Sequence, residues 1–431
     1  MMSSMSIRFV DWLTTALSIT SMLLAAVPVF AATDDNAQQP HLLLISIDGF
    51  RHDYQARYST PALDRISARG IRAESVRPVW PSLTFPNNYS IVTGLYPAEH
   101  GIVANEFPDD LRETWYRYKD STTVQDGRWY AGEPLWVAAE RAGMISATYF
   151  FVGSEARISD VSPSHWRAFD GSVPGDERVA QVLDWLTLPA AERPQMIGLY
   201  FEQVDVASHR YGPGSAESIA AVEQVDRWIG KLLDGIEQAG LAEQLHVAVV
   251  SDHGQSQFRQ DPEPLVLSEF LELDGVTVRA SGAFAMLYLD EPDPARAREL
   301  RDAINARWQH GRAWLPADAP ADWHVGDNPR LGDVLLQADL GYAVINKRRP
   351  GRKSNQGDHG WSPNDRDMHG IFVAAGPRLP AGKMLGTIGI TDAYPLFLEL
   401  LGLPDRRDAP PASPLCAVLQ ATAACRQNGT R

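Results

Sequence analysis

"HLLLISIDGF", residues 41–50, holds an almost unbroken apolar run that stops at Asp48-Gly49. A strand with one wet face alternates apolar and polar residues. A continuous run suits a strand covered on both faces, as parallel strands are. The Asp-Gly pair then supplies a turn. "MIGLYF" (196–201) and "LHVAVVS" (245–251) repeat the pattern, each closely followed by acidic and histidine residues. Helical spacing fills the intervals, in "TPALDRISARG" (60–70), "EPLWVAAERAG" (133–143) and "SIAAVEQVDRWIGKLLDGIEQAG" (218–240). The last closes on Gly240, as a helix C-terminus should. Strands alternating with helices predict an α/β fold: a doubly wound, mostly parallel central sheet with helices on both faces.

Outward from that core the chain is less regular. About 255–349 is rich in Pro, Asp and Ala and reads as an insertion packed on the core, with "HGIFVAAGP" (369–377) resuming the core pattern. The main domain is expected over 41–402, with 403–431 an irregular tail. At the other end, residues 1–31 read as an export signal: Arg8, then "ALSITSMLLAAVPVFA", with Val29-Phe30-Ala31 as a small-x-small cleavage site and 32–40 a linker. The expected location is periplasmic or secreted, with no membrane span in the mature chain. Two cysteines, Cys416 and Cys425, are expected to close a local disulfide there. Of 431 residues, 44% are hydrophobic and 22% charged, the balance of a folded globular protein. A net charge of −15 argues against a stable nucleic-acid partner held by a broad basic face. It leaves room for a small anionic substrate, because bound divalent cations reverse the local field.

Four acid and histidine clusters sit where strands end: Asp48; Asp205 with His209; Asp252 with His253; and His359. In open α/β sheets ligands bind outside the carboxyl ends of the strands, so all four can converge. Asp205 and His209 are four residues apart, on one face of a helical turn. Three carboxylates and three imidazoles suit two divalent ions of zinc type, each with an open position. Paired ions of that kind serve displacement at phosphorus. Any one such cluster is more often a turn residue or helix cap. The case rests on their recurrence at equivalent strand ends, beside glycines. The other histidines read as structural or surface groups; among them His369 lies nearest in sequence to His359 and enters a strand.

"PSLTFPNNYS" (81–90) places Thr84 at a stiff loop-to-helix junction, before the helix-like "YSIVTGLYP" (89–97). A threonine there is commonly an N-cap. It becomes a nucleophile if a divalent ion binds its oxygen and lowers its pKa. Asn105, in "GIVANEF", can then donate its amide N–H to the phosphoryl oxygen that gains charge. Phe85 is placed to stack on a base, with core packing the competing reading.

Taken together, "DGFRHDY", "PSLTFPNNYSIVTGLYPAEHGIVANEF", "YFEQVDVASHRYGP", "SDHG" and "GDHGW" resemble the nucleotide pyrophosphatase/phosphodiesterase family of the alkaline phosphatase superfamily, bacterial type. The resemblance runs from His41 to Leu401. It implies an alkaline-phosphatase-like fold and two Zn2+ per chain. It also implies hydrolysis of nucleotide phosphodiester and pyrophosphate bonds through a covalent phospho-threonine on Thr84, releasing nucleoside monophosphates. It assigns Asp205, His209 and His359 to one zinc, and Asp48, Asp252, His253 and the Thr84 oxygen to the other. Asn105 matches the family's phosphoryl-oxygen donor; Phe85, Phe169 and Tyr200 match aromatic positions beside the nucleotide. Leu83 and Asn88 depart from the lysine and histidine often found in animal members, and Gln203, Val204 and Ser208 vary the more usual wording. None of these removes a metal ligand. Two alternatives stay open: a phospholipid-type diesterase or phosphomonoesterase on the same scaffold, and a catalytically dead zinc-binding or adhesion protein.

Overall fold

The decisive run forms strand β1, His41–Ile47, and is buried along its whole length. Its pleat divides it between two cores. Leu42 and Leu44 enter one apolar cluster, while Leu43, Ile45 and Ile47 enter another on the opposite face. The sheet continues with β2 (Ile71–Arg77), β3 (Ser146–Tyr149), β4 (His165–Arg167), β5 (Met196–Phe201), β6 (Leu245–Val250), β7 (Phe372–Ala375) and β8 (Lys383–Gly389). Their order across the sheet is β8-β2-β7-β6-β1-β5-β3-β4. Every pairing is parallel except those of β7, which runs antiparallel to both β2 and β6. The sequence resumes the core at β7 as expected, with the strand reversed.

Helices cover both faces. On one side lie α1 (Pro61–Arg69), α4 (Gly175–Leu186) and α6 (Ala216–Gln238), which bury Leu63, Val182 and Ile229. On the other lie α2 (Thr84–Thr93), α3 (Leu135–Arg141) and α8 (Ala393–Leu401), which bury Ile91, Trp136 and Leu398. A shorter helix, α5 (Gln203–Tyr211), follows β5 directly. The run at 89–97 is helical only in part: α2 starts at Thr84 and stops at Thr93, where Gly94 takes a left-handed conformation with φ 65°.

Within 255–349 lies a separate antiparallel sheet of four strands, ordered 276–280, 284–289, 334–338, 311–314. It is backed by α7 (Pro294–Arg307), whose Leu300 and Ile304 enter a third apolar cluster. Trp80, just before the Thr84 segment, stacks on Trp323 with ring centroids 4.5 Å apart and donates through Nε1 to Gln337 Oε1 at 2.8 Å. Those contacts fasten the sheet to the loop that carries Thr84.

The computed structural model describes residues 41–259, 261, 263–348, 355–407 and 413–419. The expected signal and linker, and Cys425 of the expected Cys416–Cys425 pair, lie outside the described residues. Among the described residues, no helix is long and apolar enough to cross a membrane.

Candidate metal and nucleophile site

β1 lies between β5 and β6 in parallel register, with Ile47 opposite Phe201 and Ser46 opposite both Tyr200 and Val250. Three carboxyl ends are therefore level, and the residues just beyond them emerge together: Asp48, the start of α5, and Asp252. Gly49 makes the close approach possible. It has φ +68°, and a Cβ there would stand 3.1 Å from the Asp205 Cα and 2.8 Å from the Gln255 side-chain nitrogen.

Two triads result. Ligand atoms of Asp48, Asp252 and His253 lie within 4.8 Å of one another, as do those of Asp205, His209 and His359. The triads are neighbours, for the His253 and His359 rings stack with centroids 3.7 Å apart. Each histidine is aimed by its far nitrogen. Nδ1 of His253 meets the Gly254 carbonyl at 3.0 Å, that of His359 the Ser82 carbonyl at 2.7 Å, and that of His209 the Gly357 carbonyl at 3.0 Å. A carbonyl can only accept, so in His253 and His359 Nδ1 carries the proton and Nε2 turns its lone pair inward, the tautomer a metal ligand needs. His209 Nδ1 is shared between the Gly357 carbonyl and the Asn355 side-chain amide, at 3.0 Å each. The inward Nε2 atoms lie 3.4 Å from Asp48 and Asp252 (His253), 3.4 Å from Asp205 (His209) and 3.7 Å from Asp205 (His359).

The electrostatics are those of a cation site. Burial first, and then a neighbouring carboxylate, pushes Asp48, Asp205 and Asp252 well above the usual carboxylate range. Burial lowers His253 to about 3 and holds His359 well below its ordinary value. These two imidazoles therefore stay neutral and do not neutralise the acids. Among the described residues Asp48 Oδ1 is buried without a hydrogen-bond partner, an arrangement that costs free energy unless something positive meets it. A donor set of carboxylate oxygens and neutral imidazole nitrogens fits zinc-type divalent ions.

Thr84 opens α2 without capping it. The N-cap position is Leu83, in extended conformation, and no side chain caps the helix. The threonine hydroxyl instead lies 3.4 Å from His253 Nε2. Asn105 is anchored to the same helix end: its Oδ1 accepts from the Phe85 N–H at 3.1 Å, which turns its NH2 group away from that contact. Phe85 is partly buried, its ring meeting the edges of Tyr116 and Tyr118 at 6.1 and 5.7 Å. Phe169 is 51% exposed and meets Phe150 and Tyr200 edge-to-face. Tyr200 is buried, and its hydroxyl donates to Asp48 Oδ2, so that hydroxyl supports a candidate ligand. His369 is held outside both triads by Ser75 Oγ and the Pro363 carbonyl.

Three supporting groups escape sequence reasoning. Asn88 donates to Asp252 Oδ2 at 2.8 Å. Gln255 donates to Asp205 Oδ1. The buried Arg178 grips Glu202 with two bonds, at 2.6 and 2.8 Å, and also binds the Tyr200 and Val173 carbonyls. All depend on pairings between distant segments; only Asn88, four residues after Thr84, carried a local signal.

Residues 42–362 match the family described as type I phosphodiesterase/nucleotide pyrophosphatase. The chain belongs to that family. Among its relatives, ectonucleotide pyrophosphatase/phosphodiesterase family member 1 of Mus musculus is 32% identical over 374 residues, covering 85% of this chain and 41% of that protein. Venom phosphodiesterase of Macrovipera lebetinus is 30% identical over 387 residues, covering 85% and 44%. The chain thus spans about two fifths of the length of these relatives. Among solved structures, human ectonucleotide pyrophosphatase/phosphodiesterase 5 superposes with a TM-score of 0.82 at 28% identity, over 88% of this chain and 100% of that one. An inactive threonine-to-alanine variant of the murine protein, in complex with AMP, gives 0.82 at 26%, with the same coverage.

Proposed function

We propose that this protein is a zinc-dependent hydrolase of nucleotide phosphodiester and pyrophosphate bonds, acting through a phospho-threonine on Thr84. The observation that carries the reading is the position of the Thr84 hydroxyl: uncapped, at a helix start, against one of two adjoining acid–imidazole triads. Asp48, Asp252 and His253 would hold one ion and Asp205, His209 and His359 the other. When bound, the ions supply positive charge that favours the ionised hydroxyl and offsets the charge of the phosphoryl group. Thr84 Oγ1 forms a bond to phosphorus as the bond from phosphorus to the leaving oxygen breaks. Water then attacks the same phosphorus, the Thr84 oxygen leaves, and a nucleoside monophosphate departs. The Asn105 amide, held at the start of α2 by the Phe85 N–H, donates to the phosphoryl oxygen that gains charge. Phe85 and the exposed Phe169 offer aromatic faces to a base, with Tyr200 holding Asp48 beneath.

The names of the relatives support a nucleotide substrate and an extracytoplasmic enzyme, in line with the export signal read at 1–31. Replacing Thr84 by alanine should leave metal content and folding intact and lower kcat by about three orders of magnitude or more. Wild type should favour a thymidine monophosphate aryl ester over a simple aryl phosphate in kcat/KM. A Thr84→Ala protein with near-normal turnover would contradict the covalent step, and a preference for the aryl phosphate would contradict the diesterase reading.

A further inference from the structure

Asn88 is completely buried on α2, one turn beyond Thr84. Its side-chain amide is satisfied at both ends by groups from three segments. Nδ2 donates to the Thr84 carbonyl at 3.0 Å and to Asp252 Oδ2 at 2.8 Å. Oδ1 accepts from Ser46 Oγ at 2.7 Å, and Ser46 stands on β1 two residues before Asp48. One amide thus joins the helix that carries the nucleophile, the strand that delivers Asp48, and the turn that delivers Asp252.

The effect on Asp252 is specific. Its Oδ1 accepts the backbone N–H groups of Gly49 and His253, at 3.1 and 2.9 Å. Its Oδ2, 3.4 Å from His253 Nε2, accepts from Asn88. Three N–H groups therefore fix the carboxylate plane and leave a defined lone pair of Oδ2 directed at the triad. Asp48 differs: Tyr200 donates to its Oδ2, and Oδ1 has no hydrogen-bond partner among the described residues. Asp205 lies in the other triad and takes its support from Gln255. The Asn88 amide touches one triad only.

We infer that Asn88 is a positioning residue for the ion beside Thr84: it aims Asp252 Oδ2 and locks that carboxylate to the nucleophile's own helix. The inference rests on the two-ion reading proposed above. Partners that orient a metal ligand are typically worth about 10–100-fold in affinity. The geometry confines such a loss to the Asp48–Asp252–His253 ion.

The test is a zinc titration of the full-length wild type, Asn88→Ala and Ser46→Ala, each made metal-free and read by competition with a chromogenic chelator. Wild type should take up two ions. Asn88→Ala should keep one at wild-type affinity and bind the other about 10–100-fold more weakly. Ser46→Ala leaves the amide in place without its Oγ partner, and should weaken the same ion by a smaller factor. It keeps the question answerable if Asn88→Ala does not fold. Melting temperature without metal is the control, because a purely structural role lowers it and weakens both ions alike. Two unchanged affinities, or equal loss at both, would overturn the role of Asn88 while leaving the two-ion reading standing. A wild type that takes up no zinc would overturn both.

Discussion

The two triads use the same chemistry at different depths. In the triad beside Thr84, the side chains of Asp48, Asp252 and His253 are 3%, 0% and 0% exposed. In its neighbour, Asp205, His209 and His359 are 13%, 23% and 6% exposed. The difference follows from the elements. Asp48 and Asp252 leave adjacent central strands, beneath α2, whereas His209 lies in the last turn of the short surface helix α5. A buried, hydrogen-bonded triad suits an ion that must hold the nucleophile's surroundings in fixed register. A triad with one accessible imidazole suits an ion that meets incoming substrate.

That contrast can be broken most easily by removing metal. On the proposed two-ion reading, a chelator would reach an ion at Asp205, His209 and His359 by displacing a partly exposed histidine, while an ion at Asp48, Asp252 and His253 would leave only after local opening of the strand ends. Zinc release should show two resolved phases, and His209→Ala should abolish the fast one and spare the slow one. A single phase carrying both ions, or loss of the slow phase in His209→Ala, would dissolve the distinction.

A smaller effect sharpens it. Burial and mutual repulsion raise all three triad carboxyl groups, so the metal-free protein retains protons there that an aqueous carboxylate would have lost. A cation must displace them. Zinc loading should release protons, and apparent affinity should fall as the pH is lowered. Calorimetry in buffers of different ionisation enthalpy measures the sign. The deep triad holds two of the three raised carboxyls, so its ion should account for the larger share. Net proton uptake would contradict the account.

Much of this was legible in the residues. "HLLLISI", "MIGLYF" and "LHVAVVS" became the three central strands because a parallel strand covered on both faces has a visible signature. The four-residue spacing of Asp205 and His209 placed them on one helix face, and the structure does put them on α5. Which acids and histidines share a triad was not readable from spacing, because it depends on sheet order. The family resemblance implied a partition, and the geometry groups the same residues. Reversal of β7 and the separate sheet within 255–349 also escaped notice, since a short apolar run does not reveal its direction. The bonds of Asn88 to Asp252, Tyr200 to Asp48 and Gln255 to Asp205 span 164, 152 and 50 residues, and no local pattern encodes them. The opening threonine shows the opposite case. Local rules favoured a helix cap, and the structure leaves its hydroxyl to the site.

On the proposed reading, six side chains gather to hold a pair of ions against the Thr84 hydroxyl. Diffraction from zinc-loaded crystals, recorded on both sides of the zinc absorption edge, locates those ions. Two anomalous peaks per chain are expected, one inside each triad, with the one at Asp48, Asp252 and His253 adjoining the Thr84 oxygen. Peaks elsewhere, or a single peak shared between the triads, would contradict that reading.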